Sequence, residues 1–324
     1  MNIAEIAEMA GVSKAAVSRY LNNGYISEQK REAIRKVVEE TGYRPSVQAQ
    51  TLRTRKTKMI GVIVPKISSA SVARIVEGIL TTLNENGYQM LLAIAQNDPA
   101  KELEYLQAFH SKQVDGIVLV ATIFTPEHKR MLKSSAVPVV IVGQRLPGYC
   151  AVFHDDYHAS YDLTMLLLNK GRRKLGYISA DLRDQAAGAE RYRGFCDAAR
   201  DMGCRKLEDN FVTAAFTVAA GYEQAGKLLD KCGSLDGVIC ASDTMAVGAM
   251  QYLREHGVRF PDQMLIAGHG DSEMARMTYP PLFTVHYFYE KSGETAVQML
   301  MELLEGSEGA VKEIKLGYYI VDRA

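Results

Sequence analysis

A short polar segment near the start of the chain, SKAAVSRYLN, groups a cation with side chains that can form hydrogen bonds. Lys14, Ala15, Ser18 and Arg19 fall on one side of a predicted helix, away from its apolar positions. An arginine can bind O6 and N7 of guanine together, and an alanine methyl fits against a thymine methyl. Ser13, Ser18 and the helix N-terminus suit phosphate oxygens. The segment therefore has the chemistry needed to read a DNA major groove.

Catalytic and metal-binding chemistry is not indicated elsewhere. The P-loop, nucleophile-elbow and HExxH patterns are absent, and Gly268-x-Gly270 lacks the rest of a dinucleotide fingerprint. His154 and His158 are four residues apart, but they follow a predicted strand end and need not share a face. We expect no enzyme activity, no cofactor and no metal. A pair of cleft carboxylates for glycoside hydrolysis stays an open alternative.

The elements around the polar segment form a predicted three-helix head. Apolar residues recur at helical spacing from Ile3, and Asn2 with Glu5 fits a capping box at the start of this helix. Gly11 ends it, and Ser13 can cap the second helix. A third helix is predicted from Ser27 to Gly42. Helix, glycine-containing turn and short second helix match the spacing of a helix-turn-helix. A three-helix unit without a DNA role is the alternative.

Charge is distributed unevenly along a chain that is neutral overall. Residues 1–58 contain 11 Lys and Arg against 6 Glu and no Asp, whereas residues 59–324 contain 27 bases and 32 acids. A basic head on an acidic body suggests that only the head meets a polyanion. The five cysteines form no CxxC pair and are odd in number, and the N-terminus does not resemble a signal peptide, so we expect a cytoplasmic location. The sequence has no apolar run long enough to span a membrane, so we expect no membrane partner.

The remaining 266 residues alternate short apolar runs with amphipathic segments. Runs such as MIGVIVP, YQMLLAIA, DGIVLVAT, VPVVIVG, KLGYISA, DGVICASD and MLIAGHG predict strands, separated by helices of about 10–15 residues. This pattern is typical of parallel sheets, and the length allows two of them. Ligands of doubly wound folds bind beyond the carboxyl ends of the strands, so a cleft between two lobes is the expected pocket.

The head resembles the LacI/GalR family of bacterial repressors. AGVSKAAVSRYLN followed by GYRPSVQAQTL matches the family pattern nearly position for position. The resemblance implies a helix-turn-helix head on a periplasmic-binding-protein-like α/β core of two doubly wound parallel-sheet lobes. It also implies a hinge helix that forms on DNA, with Leu52 wedged into the minor groove, Ala49 facing the partner hinge and Arg53 near phosphate. Asn22 joins the DNA-binding residues by the same match.

The resemblance places effector contacts at six positions: Ile75, Arg191, Phe216, Ser242, Asp271 and Tyr289. Asp243 is instead expected to cap the helix that follows it. Two carboxylates of sugar-binding members are missing, because Gly270 and Gly143 stand at their positions. With Arg191 kept, and Arg145 and Lys66 expected near the cleft, the sequence favours a phosphorylated or less hydroxyl-dependent ligand.

The sequence thus predicts a homodimeric repressor of carbohydrate-utilisation genes, which binds double-stranded operator DNA and responds to a sugar or sugar phosphate. The ending GYYIVDRA, without leucine heptads, argues against a tetramer. A global catabolite regulator with a phosphoprotein corepressor and a sugar sensor without DNA function are the alternatives. The expected domains are a head at 1–44, a hinge at 45–58 and a core at 59–324, with lobe 1 at about 59–157 and 290–317 and lobe 2 at about 158–289 and 318–324.

Overall fold

The computed structural model describes residues 1–22, 24–43, 56–111, 114–204, 209–306 and 310–323. The chain divides into two compact units, Met1–Lys58 and Met59–Ala324. The following paragraphs treat each unit by itself.

The first unit contains three helices around a small apolar core. Asn2 and Glu5 form the predicted capping box, and the Ser13 side chain accepts a hydrogen bond from the Ala16 amide. Ser27 precedes the third helix as predicted, but its side chain makes no capping hydrogen bond. The core holds Ile6, Ala7, Ala16, Val17, Ile26, Ile34 and Val37. The helices are α1 Ile3–Met9, α2 Lys14–Leu21 and α3 Glu28–Thr41.

The second unit contains two parallel sheets, which confirms the predicted fold. The first has six strands in the order β11-β5-β4-β3-β1-β2, and the second has four in the order β7-β6-β8-β9. All seven apolar runs form strands. The strands are β1 Met59–Val64, β2 Gln89–Ile94, β3 Gly116–Val120, β4 Val139–Val142, β5 Cys150–His154, β6 Leu175–Ser179, β7 Phe211–Thr213, β8 Gly237–Cys240, β9 Leu265–Ala267, β10 Thr284–Tyr287, β11 Glu313–Leu316 and β12 Tyr318–Val321.

Helices cover these sheets and complete two lobes. Lobe 1 is the six-stranded sheet with α4–α6 and α12, and lobe 2 is the four-stranded sheet with α7–α11 and a π-helix. The helices are α4 Ala70–Glu85, α5 Pro99–His110, α6 Pro126–Lys133, α7 Asp156–Asn169, α8 Arg191–Asp201, α9 Val218–Cys232, α10 Asp243–Glu255, α11 Glu273–Met277 and α12 Tyr289–Leu304, and the π-helix is Gln185–Glu190.

The chain passes between the lobes three times. It leaves lobe 1 between β5 and α7, returns between β10 and α12, and leaves again between β11 and β12. Strands β10 and β12 pair antiparallel, so two of the three crossings are joined by a hydrogen-bonded ladder. These crossings place the ends of several strands and helices around one space between the lobes.

Two glycines allow α4 and α12 to pack closely on one face of lobe 1. A Cβ added at Gly78 would lie 2.0 Å from the carbonyl oxygen of Glu290, and one at Gly293 would lie 2.1 Å from that of Ile75. Any larger side chain would force the helices apart. Between the helices and the sheet, side chains such as Val62 and Leu300 are fully buried, and each such aliphatic contributes roughly 1.5–3 kcal/mol.

Candidate functional site

Helix α2 presents the polar surface that the sequence predicts. Lys14, Ala15 and Arg19 are exposed, and so is Ser13 at the N-cap, while Ala16 and Val17 on the opposite side are buried. Burial of the apolar side anchors the helix to α1 and α3, so the exposed side is held as a rigid unit. A cation and small side chains are therefore available to a groove.

The end of α2 is shaped by its own hydrogen bonds. The Asn22 side-chain amide donates to the Ser18 carbonyl, and the Gly24 amide donates to the Arg19 carbonyl at 2.7 Å. A Cβ at Gly24 would lie 3.3 Å from the Cβ of Arg19, so the loop passes directly beside the arginine. Ala49, Leu52 and Arg53 lie outside the described residues, and their assignment stays a prediction.

The second candidate site is a cavity of about 630 Å³ between the lobes of the core. Loops after β1, β3 and β4 line it from lobe 1, and the starts of the π-helix, α9 and α10 line it from lobe 2. Such a volume fits a ligand of the size of a mono- or disaccharide. Five of the six predicted effector residues line this cavity: Ile75, Arg191, Phe216, Ser242 and Tyr289.

Arg191 is held in place by buried partners. Its Nε donates to Asp156 Oδ1 at 2.7 Å, its Nη1 donates to the Ala241 carbonyl at 2.6 Å, and its guanidinium lies 4.9 Å from the Tyr287 ring centre. Only 8% of Arg191 and 5% of Asp156 is exposed. An arginine fixed in this way is preorganised to hold ligand oxygens.

Two histidines beside this arginine are uncharged. Burial lowers the pKa of His154 to about 4, and burial together with Arg191 lowers that of His269 well below its usual range. The Nδ1 of His269 lies 2.9 Å from the Cys240 carbonyl oxygen, which can only accept, so the proton is on Nδ1. Nε2 of His269 therefore carries a lone pair, and it has no partner among the described residues.

The carboxylates at the lobe 2 side of the cavity are engaged by backbone amides. Asp184 accepts from the amides of Ala186 and Ala187, and burial raises its pKa to about 6. Asp243 accepts from the Ser272 amide at 2.7 Å and from the Thr284 hydroxyl. The prediction that Asp243 caps α10 is wrong, because Ser242 is the N-cap and its Oγ accepts from the Met245 amide.

Lobe 1 contributes hydrophobic walls and one cation to the cavity. Ile75 on α4 is buried, and Tyr289 begins α12. Lys66, just after β1, donates from Nζ to the Phe216 carbonyl at 2.8 Å and lies 5.6 Å from the Phe216 ring centre. Arg74 on α4 donates to the Gly270 carbonyl. Both cations thus join lobe 1 to lobe 2, and of the two Lys66 lines the cavity.

Asp271 is not where the effector prediction requires it. It does not line the cavity, and its carboxylate accepts from His286 Nδ1 at 2.8 Å, from Arg276 Nη2 at 3.0 Å and from Arg323. Burial alone would raise the pKa of Asp271, but these donors outweigh burial and lower it. With its oxygens occupied in this way, Asp271 braces β10 and residues after β12 rather than the ligand.

Arg145 is also misplaced by the sequence prediction. It is paired with Glu313 at 2.6 Å, its side chain is 60% exposed, and it does not line the cavity.

Sequence reasoning missed Asp156, Asp184 and His269 as cavity residues. Asp156 lies two residues after the end of β5, and His269 lies two residues after the end of β9. A position just after a strand end was therefore the available signal. Asp184 gave no such signal, because it follows a turn.

Among the described residues, no group of three or more His, Cys, Asp or Glu side chains is arranged to hold a metal ion. In the same part of the chain, no helix has the length and apolar character that a membrane crossing requires. What the core offers is a cavity with donors and acceptors fixed by the protein itself. Such an arrangement suits reversible binding of a polar molecule.

Comparison with known proteins decides the family. Residues 2–46 match the model of the bacterial regulatory proteins of the lacI family, and residues 164–324 match that of a periplasmic binding protein-like domain. The regulator DegA of Bacillus subtilis (strain 168) is 32% identical over 87% of this chain and 85% of its own. The chain belongs to the LacI family. It is therefore a DNA-binding transcription regulator, and this family consists of regulators rather than enzymes.

Two further relatives of this LacI-family regulator extend the comparison over nearly the whole chain. The sucrose operon repressor of Staphylococcus xylosus is 29% identical over 94% of both chains. A crystal structure of the lac repressor dimer bound to operator and an anti-inducer superposes with a TM-score of 0.90 at 19% identity, covering 99% of this chain and 98% of that one. That likeness shows the fold.

Proposed function

We propose that this LacI-family regulator represses carbohydrate-utilisation genes and is controlled by a sugar or sugar phosphate bound in the interlobe cavity. The observation that carries the proposal is Arg191, a buried guanidinium at the wall of a cavity that both lobes line. Relatives support the sugar class, because one is a sucrose operon repressor and a regulator CelR has been solved with cellobiose.

On DNA, α2 would lie in the major groove. Arg19 would bind a guanine through two hydrogen bonds, Ala15 would contact a thymine methyl, and Ser13, Lys14, Ser18 and Asn22 would contact phosphates or neighbouring base edges. Phosphate contacts set the position of the helix, whereas Arg19 and Ala15 set its sequence preference. Binding should therefore weaken as salt rises, because neutralised phosphates release their counterions.

In the core, the effector would act by favouring one arrangement of the lobes. The bonds from Lys66 to Phe216 and from Arg74 to Gly270 join the lobes directly, so a ligand that competes for these donors changes the energy of closure. A ligand shifts such an equilibrium only by its difference in affinity for the two arrangements. The proposed hinge with Leu52 would transmit that shift to the head.

We also propose a cytoplasmic homodimer, which would match two copies of α2 to a pseudo-palindromic operator. Two side chains near the end of α11 support a self-association surface: Met277 is 85% exposed and Tyr279 is 86% exposed. Exposed apolar groups of this size favour contact with another protein surface. The boundaries 1–44, 45–58 and 59–324 for head, hinge and core remain part of the proposal.

The test is an operator-binding titration with the full chain. An operator is first selected from random duplexes, and its complex is then titrated with sugars and sugar phosphates at two salt concentrations. We expect specific binding that weakens steeply with salt and changes with one ligand of the panel. Ligand binding without any effect on the complex would reject the proposed control. Restoration of operator binding only by a phosphoprotein would favour the catabolite-type alternative.

A further inference from the structure

The cations and anions of the interlobe cavity are not balanced in the same way on its two sides. On the lobe 2 side, Arg191 is paired with Asp156, and Asp184 and Asp243 accept hydrogen bonds from backbone amides. On the lobe 1 side, Lys66 contacts the neutral carbonyl and the ring of Phe216, and no ion pair to it is found in the described part of the chain. One half-buried positive charge is left without a counter-ion.

The start of α4, next to Lys66 in sequence, adds unused donors at the same side. Ser69 occupies the N-cap position, but its side chain makes no capping hydrogen bond, and its Oγ lies 2.8 Å from that of Ser71. The helices that begin at 218 and 243 differ, because Thr217 and Ser242 cap them. The first amides of α4 belong to residues that line the cavity and have no capping side-chain oxygen, and a helix N-terminus favours anions.

These two features lie on the wall of one cavity. Lys66, Ser68, Ser69 and Ser71 all line it, together with Asp184 and Arg191 from the opposite lobe. A ligand that fits both sides has an anionic group toward Lys66 and hydroxyls toward Asp184 and Arg191. Burial also lowers the pKa of Lys66, and a bound anion would favour the charged form.

We propose that Lys66 and the start of α4 form an anion subsite, and that the effector is a sugar carrying a phosphate monoester. The inference rests on the proposed function, since it names the ligand class of the same cavity. Lys66 acts in it as the specificity-determining residue. A phosphate carries nearly two negative charges near neutral pH and accepts several hydrogen bonds at once, as this cluster of donors requires.

The first experiment uses inorganic phosphate as the probe. The thermal stability of the full chain is followed as phosphate replaces chloride at constant ionic strength. We expect phosphate to stabilise the wild-type protein, since a ligand that binds only the folded state adds stability. Lys66→Gln removes the charge but keeps a donor for Phe216, and it should lower phosphate affinity by at least about tenfold.

Arg145→Gln is the matched control, because it removes an exposed cation that lies outside the cavity. It should leave the phosphate effect unchanged, and Lys66→Arg should retain part of it. Equal stabilisation of the wild-type protein and Lys66→Gln by phosphate, or no phosphate effect on the wild-type protein, would overturn the proposal.

A second experiment separates this inference from the proposed function. Glucose and trehalose are each compared with their 6-phosphates for binding to the full chain and for their effect on the operator complex. The phosphorylated member should bind at least about tenfold tighter, and Lys66→Gln should abolish that difference. If an uncharged sugar alone alters operator binding, the proposed function stands and the anion subsite falls. If none alters it, the function fails while the inorganic phosphate titration still decides the subsite.

Discussion

Helix α2 of the head and the interlobe cavity of the core each contain an arginine that we propose contacts a ligand, but the protein holds the two side chains differently. Arg19 is exposed and stands on a helix whose opposite side is anchored. Arg191 is 8% exposed and bonded to Asp156 and to the Ala241 carbonyl. If these roles are right, recognition and stability rest on different residues in the head and on the same residues in the core. Substitutions in the two regions should then differ in their effects on ligand binding and on stability.

The largest effect should come from removing the buried guanidinium. Arg191→Ala leaves the Asp156 carboxylate buried without its cation, and we expect the free energy of unfolding to fall by about 3–5 kcal/mol. Urea denaturation of the full chain measures this change. Arg193→Ala is the control: it removes an exposed arginine of the same helix that is paired with Glu190, and it should cost less than about 1 kcal/mol. Equal losses in the two variants would contradict the comparison.

A smaller effect is expected in the head, where the substitution should weaken operator binding rather than stability. Arg19→Ala should weaken binding to the selected operator by about 1–3 kcal/mol and relax the preference for guanine at one position. The unfolding transition should hardly move, because the Arg19 side chain is exposed and lies outside the buried core of the head. Gel-shift titration and thermal denaturation together check this. Arg35→Ala, on the exposed side of α3, is the control and should leave the base preference intact. A loss of stability in Arg19→Ala would contradict the expected difference between the head and the core.

The third effect depends on pH. Because burial raises the pKa of Asp184 to about 6, the folded protein keeps this proton at pH values where the unfolded chain, with a pKa of about 4, has released it. The contribution of Asp184 to stability is therefore greatest in acid and is lost as the pH rises toward 6. Asp184→Asn stays uncharged and can still accept from Ala186 and Ala187.

We expect Asp184→Asn to be more stable than the wild-type protein by about 1–3 kcal/mol at pH 7, with the advantage vanishing near pH 4. Denaturation curves across this pH range provide the measurement. Asp181→Asn is a suitable control, because hydrogen bonds from Arg183 lower the pKa of Asp181, and its loss brings no gain at pH 7. A constant difference between Asp184→Asn and the wild-type protein at every pH would rule out the titration of Asp184 as the cause.

Sequence patterns captured what is local in this protein. The capping box at Asn2 and the Ser13 cap are interactions between residues three positions apart. Strands such as β1 are recognisable in the sequence as short apolar runs. The order of helices and strands follows from such signals. The short strands β7 and β11 were not predicted, because their residues are half-buried or exposed and carry little apolar signal.

Contacts between distant segments were predicted less well. Asp271 is next to cavity residues in sequence, but its carboxylate accepts hydrogen bonds from Arg276, His286 and Arg323. Only the folded chain brings these three donors together. Asp156 was missed as a cavity residue because its partner, Arg191, lies 35 residues away in the sequence. The bonds of Asp243 likewise depend on Thr284, which the spacing around the helix start cannot reveal.

The interrupted path of the chain through lobe 1 has a consequence for its synthesis. Strands β1 to β5 emerge from the ribosome long before α12 and β11, which cover α4 and extend the sheet at its β5 edge. During that interval lobe 2 is made while the apolar side of lobe 1 lacks its cover. Contacts between segments so far apart in sequence slow folding. They also leave the apolar side of lobe 1 exposed until α12 has been synthesised, and exposed apolar surface promotes aggregation. Nascent chains that end before Tyr289 should therefore engage chaperones more strongly than complete ones.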